Sequence, residues 1–199
     1  NVLVVNTNTP VNSVKELVAY LKKNPASLSY GSAGAGTLTH LTAELFKLQT
    51  DTFMLHIPYR GIAPATTDLL SGQTQVMFPG LTAAQSFIKS GRLKALAVTG
   101  PRRHPALPDV PTMDEQGLKG FDAQQWYGVV GPAGMPAPIV KQLNDAMASV
   151  LNQADFRQKL SAEAVDLTPM TPTATADFMR RDLQRWVELA TTRKIRLDA

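Results

Sequence analysis

A chain of 199 residues is long enough to bury a sizeable core, either as one domain or as two small lobes. Hydrophobic residues at 44% and charged residues at 18%, with 13 Gly and 14 Pro scattered along the chain, exclude global disorder and repeat architectures. The net charge of +4 contains no basic run longer than Arg102-Arg103, which excludes the concentrated positive face of a nucleic-acid binder, and the absence of cysteine excludes disulfides, thiolate zinc sites and thiol catalysis.

The chain opens at Asn1 and runs at once into the strand-like Val2-Leu3-Val4-Val5, as expected of a chain processed or cut from something longer. No apolar run approaches the roughly 20 residues that span a bilayer, and no signal peptide is visible. Asn12 and Ser13 are placed to cap a helix carrying Val14, Leu17, Val18 and Leu21 at helical spacing, with Lys22 and Lys23 in its last turn. A short strand at 28–30 leads into Gly31-Ser32-Ala33-Gly34-Ala35-Gly36-Thr37, and from Thr37 a second amphipathic helix carries Leu38, Leu41, Leu45 and Leu48. A strand at 53–57, the turn Pro58-Tyr59-Arg60-Gly61, a helix at 64–70, a strand at 76–78, a helix at 82–89 and a strand at 93–98 follow. This alternation predicts an α/β unit with a largely parallel sheet, whose ligands sit beyond the carboxyl ends of the strands.

Pro101, Pro105, Pro108 and Pro111 then punctuate a crossover that ends in a capped turn at 112–116. A strand is predicted at 126–130, then a stiff turn Gly131-Pro132-Ala133-Gly134-Met135-Pro136, a helix bearing Ile139 to Leu151 and a final helix bearing Phe178 to Ala190. These last helices bring little sheet of their own, so they must pack on something else.

The glycine loop is the most informative local feature. Glycines let backbone amides converge on a ligand, and the unsatisfied N–H groups of a helix start favour an anion. The same residues also suit a tight turn that merely caps a helix. Ser32, Thr37 and Thr39 are available as hydroxyl donors, and His40, one turn into the helix, faces either the ligand or internal polar groups. Tyr59, Arg60 and Gly61 precede another helix start, where a guanidinium suits a carboxylate, or else form a surface Arg beside a packed Tyr. The glycines match neither a P-loop, since Thr37-Leu38 follows Gly36, nor a dinucleotide fingerprint. His40, His56 and His104 are too scattered for a metal site. No Gly-x-Ser-x-Gly elbow or pair of cleft carboxylates is present, so neither a catalytic set nor a cofactor is expected.

Taken in order, Tyr30 to Thr37 with His40-Leu41, Ile57-Pro58-Tyr59-Arg60-Gly61 with Pro64-Ala65, Gly91-Arg92-Leu93-Lys94-Ala95-Leu96-Ala97-Val98, Leu107-Pro108-Asp109-Val110-Pro111-Thr112 and Gly131 to Pro136 resemble the Bug, or TctC, family. These are extracytoplasmic solute receptors of tripartite tricarboxylate transporters. The resemblance implies a type II periplasmic-binding-protein fold, with one near-complete α/β lobe here and the C-terminal part of the other. It implies that residues 7–124 form the ligand-binding second lobe. Residues 1–6 and 125–199 would be hinge strands and the C-terminal part of the first lobe, whose N-terminal section is absent.

The family's anion contacts carry over onto Ser32, Gly34, Ala35, Gly36, Thr37 and His40, with Tyr59, Arg60, Gly61 and Ala63 as a further wall. Where relatives place an acidic or amide residue after the fourth strand, this chain has Pro79-Gly80-Leu81, with Pro79 beside the cleft. An amino group on the ligand then lacks its partner, which points to a mono- or dicarboxylate. The resemblance further implies a periplasmic location, permease subunits as partners, no catalysis and a monomer when full length. The competing expectations are the effector domain of a transcription regulator, which shares the fold, and an α/β enzyme using the glycine loop as an oxyanion cradle.

Overall fold

The computed structural model describes residues 1–195. Its strands are β1 Val2–Asn6, β2 Ser29–Ser32, β3 Leu55–Pro58, β4 Val76–Met77 and β5 Leu93–Val98. Its helices are α1 Val14–Lys23, α2 Leu38–Thr50, α3 Ile62–Ser71, α4 Leu81–Lys89, α5 Ala137–Leu151, α6 Ala154–Ala162 and α7 Pro172–Thr192. The chain divides into two compact units, Asn1–Gln125 with the chain end from Leu189, and Trp126–Glu188.

In the first unit the strands form one sheet in the order β3-β2-β4-β1-β5. β2 runs parallel to β3 and β4, while β1 is antiparallel to both β4 and β5. Four strands therefore point one way, as the alternation of strands and helices predicts, and a single reversed strand lies among them. β1 is apolar at every position but its last and fully buried, the pattern of a strand covered on both faces.

α1 starts as its sequence demands. Ser13 Oγ accepts the amide of Glu16 at 3.1 Å, and the Glu16 carboxylate accepts the amide of Asn12 at 2.7 Å. Val14, Leu17 and Leu21 form its buried stripe. The turn at 112–116 is tied in the same way, Glu115 N–H to Thr112 Oγ1 and Thr112 N–H to the Glu115 carboxylate. Phe46 from α2 and Phe78 after β4 meet with ring centroids 5.6 Å apart in the core.

The second unit holds α5, α6 and the greater part of α7. Trp126 packs edge-on against Phe178 and donates its indole N–H to Asp182 at 3.0 Å. The strand predicted at 126–130 is not formed, and Tyr127 and Val129 are 78% and 77% exposed. Apolar, β-prone residues make a strand only where another backbone accepts from their N–H groups and donates to their C=O groups, and no described segment pairs with this one.

Candidate anion-binding site

Because β2, β3 and β4 are parallel neighbours, the loops after them emerge at one edge of the sheet, and each leads directly into a helix. The N-caps are Thr37 for α2, Gly61 for α3 and Gly80 for α4, and none of the three starts has a side-chain cap. α1 differs, since Ser13 closes its start. Three helix N-termini at one sheet edge, none closed by the side chain of its own N-cap residue, bring together the positive ends of three helix dipoles. Such an edge suits a carboxylate.

The two neighbouring loops are stitched together by backbone bonds from Tyr59 N–H to Ser32 O at 3.0 Å and from Gly61 N–H to Ala33 O at 3.1 Å. Gly34 and Gly36 have φ of 134° and 74°, conformations that L side chains rarely adopt, so the loop requires glycine at both positions.

The hydroxyls hold the loop by a directed relay. Ala33 N–H donates to Thr39 Oγ1 at 2.9 Å, and Thr37 Oγ1 donates to Gly34 O at 2.7 Å. Thr37 has one proton, so at the 2.9 Å contact between the two threonines Thr39 is the donor. Gly34 N–H donates to Ser32 Oγ at 3.2 Å and Gly36 N–H to His40 Nδ1 at 3.0 Å. The threonine protons expected from the sequence to face a ligand are thus spent inside the loop. The amides of Ala35, Leu38 and Thr39 have no hydrogen bond among the described residues, and they are the donors the loop presents.

The remaining expected residues are placed as follows. His40 is buried and takes the role of an internal cap. Tyr59 donates its hydroxyl to Asp68 at 2.7 Å; burial, then that carboxylate, push its phenol up to about 12, so it offers a ring and no donor. Arg60 is exposed with no partner among the described residues, and Ala63 is exposed on the first turn of α3. Pro79 is buried and its carbonyl accepts Val2 N–H at 3.0 Å, so Gly80 is the residue of that turn at the helix start.

Three participants escape sequence reasoning. His56 Nε2 lies 2.7 Å from Ser32 Oγ, and its ring stacks on His40 with centroids 4.0 Å apart and on Tyr30 at 4.8 Å. The parallel register that pairs Tyr30 with His56 brings this about, and nothing local in the sequence announces it. Behind the stack, the Glu44 carboxylate accepts from Tyr30 OH at 2.8 Å, from Lys47, and from Arg193 Nε at 2.9 Å. Burial alone would raise the Glu44 carboxyl, and these three donors hold it below the usual range instead. Gln125 is the third: a Cβ on Gly80 would lie 2.8 Å from Gln125 Oε1, so an amide side chain reaches the α4 start from another segment.

Among the described residues no group of three or more His, Cys, Asp or Glu could hold a metal, and no helix is long and apolar enough to cross a membrane. Ser32 and His56 resemble a nucleophile and its base, but Ser32 is fully buried and cannot meet a substrate.

The fold is an α/β unit that gathers three helix starts at one end of its sheet. Residues 1–195 match the family described as Tripartite tricarboxylate transporter family receptor, TctC, and the chain belongs to it. It is 33% identical over 185 residues to Protein BugT of Bordetella pertussis, covering 93% of this chain and 57% of that protein. Among solved structures, R. palustris Rpa4515 with adipate superposes at a TM-score of 0.89 with 32% identity, over 98% of this chain and 65% of that one. MatC (Rpa3494) from Rhodopseudomonas palustris with bound malate gives 0.82 with 29% identity, over 94% and 65%. The fold is that of the TctC periplasmic binding proteins, as the resemblance implied. The chain spans little more than half the length of the first curated relatives it matches. These matches are to receptors and lend no support to a transcription regulator.

Proposed function

We propose that this chain is part of a periplasmic solute receptor that holds a small dicarboxylate on backbone amides, without transforming it, for the permease subunits of a tripartite transporter. The observation that carries this is the convergence of three helix starts without side-chain caps on one sheet edge, beside a loop whose own hydroxyls are already spent. One ligand carboxylate sits on the amides of Ala35, Leu38 and Thr39, with Tyr59 and Arg60 as the adjoining wall. Two structural neighbours hold adipate and malate, both dicarboxylates. Residues 7–124 form this gripping lobe, and 1–6 with 125–199 belong to the hinge and the other lobe. The full-length protein acts as a monomer.

The test is calorimetry on the full-length protein with a panel of mono-, di- and tricarboxylates and amino acids. Saturable binding of a dicarboxylate, weakened at least about fivefold by Gly36→Val, is expected, since the β-branched residue forfeits the loop conformation at about 1–3 kcal/mol. A preference for aspartate or glutamate over plain dicarboxylates sinks the ligand class, and unchanged affinity in Gly36→Val sinks the loop.

A further inference from the structure

We infer that the receptor takes up a proton together with its carboxylate, and that His56 is the residue that holds it. This rests on the proposed anion loop and deepens it.

Both imidazoles of the stacked pair are wired to the loop, but in opposite senses. His40 Nδ1 accepts the Gly36 amide at 3.0 Å, so that nitrogen carries no proton. Protonating it would set two donors head to head and break the loop at Gly36. His56 Nε2 instead faces a hydroxyl, Ser32 Oγ, at 2.7 Å. A hydroxyl serves as donor or acceptor, so the hydrogen bond between His56 Nε2 and Ser32 Oγ survives when that nitrogen gains a proton. Ser32 Oγ then accepts from His56 and from Gly34 N–H, and turns its own proton to Gly34 O at 3.2 Å. With the two rings stacked 4.0 Å apart and nearly parallel at 9°, a second cation beside the first is opposed by direct repulsion. The pair accommodates one added proton, and only on His56.

The charges around the stack decide when it arrives. α2 contributes Glu44 and Lys47 behind the Tyr30 ring, and Arg193 from the chain end closes on the same carboxylate. From α3, Asp68 is engaged by Tyr59 OH, and Arg60 lies exposed on the loop between. Behind Tyr30 one carboxylate therefore faces two cations, a balance that opposes a further positive charge on His56. A ligand carboxylate at the loop reverses that balance and favours the proton on His56. Affinity then rises as pH falls, by up to about tenfold per pH unit where the free His56 is neutral and the bound one charged.

The experiment is calorimetric titration of the full-length protein with adipate and malate near neutral pH, in two buffers of different ionisation enthalpy. Uptake of about one proton per ligand bound is expected, falling to near zero in His56→Gln, which keeps a hydrogen bond to Ser32 but does not titrate. Imidazole resonances of the unaltered protein, followed against pH with and without ligand, report the same event should that variant fail to fold; the His56 midpoint must move upward on binding. Binding with equal heats in both buffers, or uptake unchanged in His56→Gln, overturns the proton linkage and leaves the carboxylate reading intact. If neither acid nor any other carboxylate binds, both fall.

Discussion

The two units of this chain obey the same local rules and reach different ends. In Asn1–Gln125, helices with apolar stripes lie on a sheet, and Val14, Leu17, Phe46, Leu69 and Ala84 vanish from solvent. In Trp126–Glu188, α5 and α7 carry stripes just as regular, yet Ile139, Leu143, Val150, Leu183 and Val187 are exposed, and α5 and α6 have no buried residue. Amphipathic periodicity makes a helix, but only a partner surface turns its stripe into a core.

The sharpest break of that contrast is a matched pair of truncations. Phe46→Ala should cost about 3–5 kcal/mol in denaturant unfolding, the range for removing a fully buried aromatic, whereas Leu143→Ala in this same chain should fall within about 0.5 kcal/mol. Equal losses would mean that the α5 stripe is packed and the two units are alike.

Next in size is the buried ion cluster of Glu44, whose carboxylate faces two cations, where Asp182 in the second unit forms an ion pair with Arg185 alone among the described residues. Glu44→Gln removes the charge that satisfies Lys47 and Arg193 and should cost about 3 kcal/mol, because uncompensated buried charge is expensive. The pH dependence has a definite sign. The folded Glu44 carboxyl is lowered, so its contribution is present above the ordinary glutamate range and is lost as pH falls through that range to the lower folded value. The acid limb of the stability profile should flatten in Glu44→Gln. Loss of the same size at every pH would assign the cost to packing.

How much of this was legible in the sequence follows from which contacts are local. Ser13 at the start of α1 and the paired Thr112 and Glu115 act within a few residues, and each was readable. So was the loop from Gly31 to Thr37, because positive φ at Gly34 and Gly36 is a property of those residues alone. The reversed direction of β1 was not readable, since strand pairing joins Val4 to Met77 and Ala95, distant in the chain. The Ser32–His56 contact depends on the register of β2 with β3, and the hydroxyl relay depends on which proton is already spent. A strand at 126–130 was expected because its residues favour β structure, and it failed because pairing is a property of two segments.

The smallest effect separates the units most finely. Ser13 Oγ caps α1 through the amide of Glu16 at 3.1 Å, and Thr171 Oγ1 accepts the amide of Ala174 at 3.2 Å at the start of α7. The two caps are chemically alike, each supplying one acceptor to one orphan N–H, and alanine at either should cost its helix about 1 kcal/mol. The stability of α1 is tied to the sheet beneath it through Val14, Leu17 and Leu21, so Ser13→Ala should lower the global unfolding free energy by nearly that full amount. The first turns of α7 rest on few buried contacts, so the loss from Thr171→Ala should stay local, as faster amide exchange over those turns with an unchanged unfolding midpoint. A shifted midpoint in both variants would show that the second unit unfolds together with the first, and that its exposed stripes conceal a cooperative link to the core.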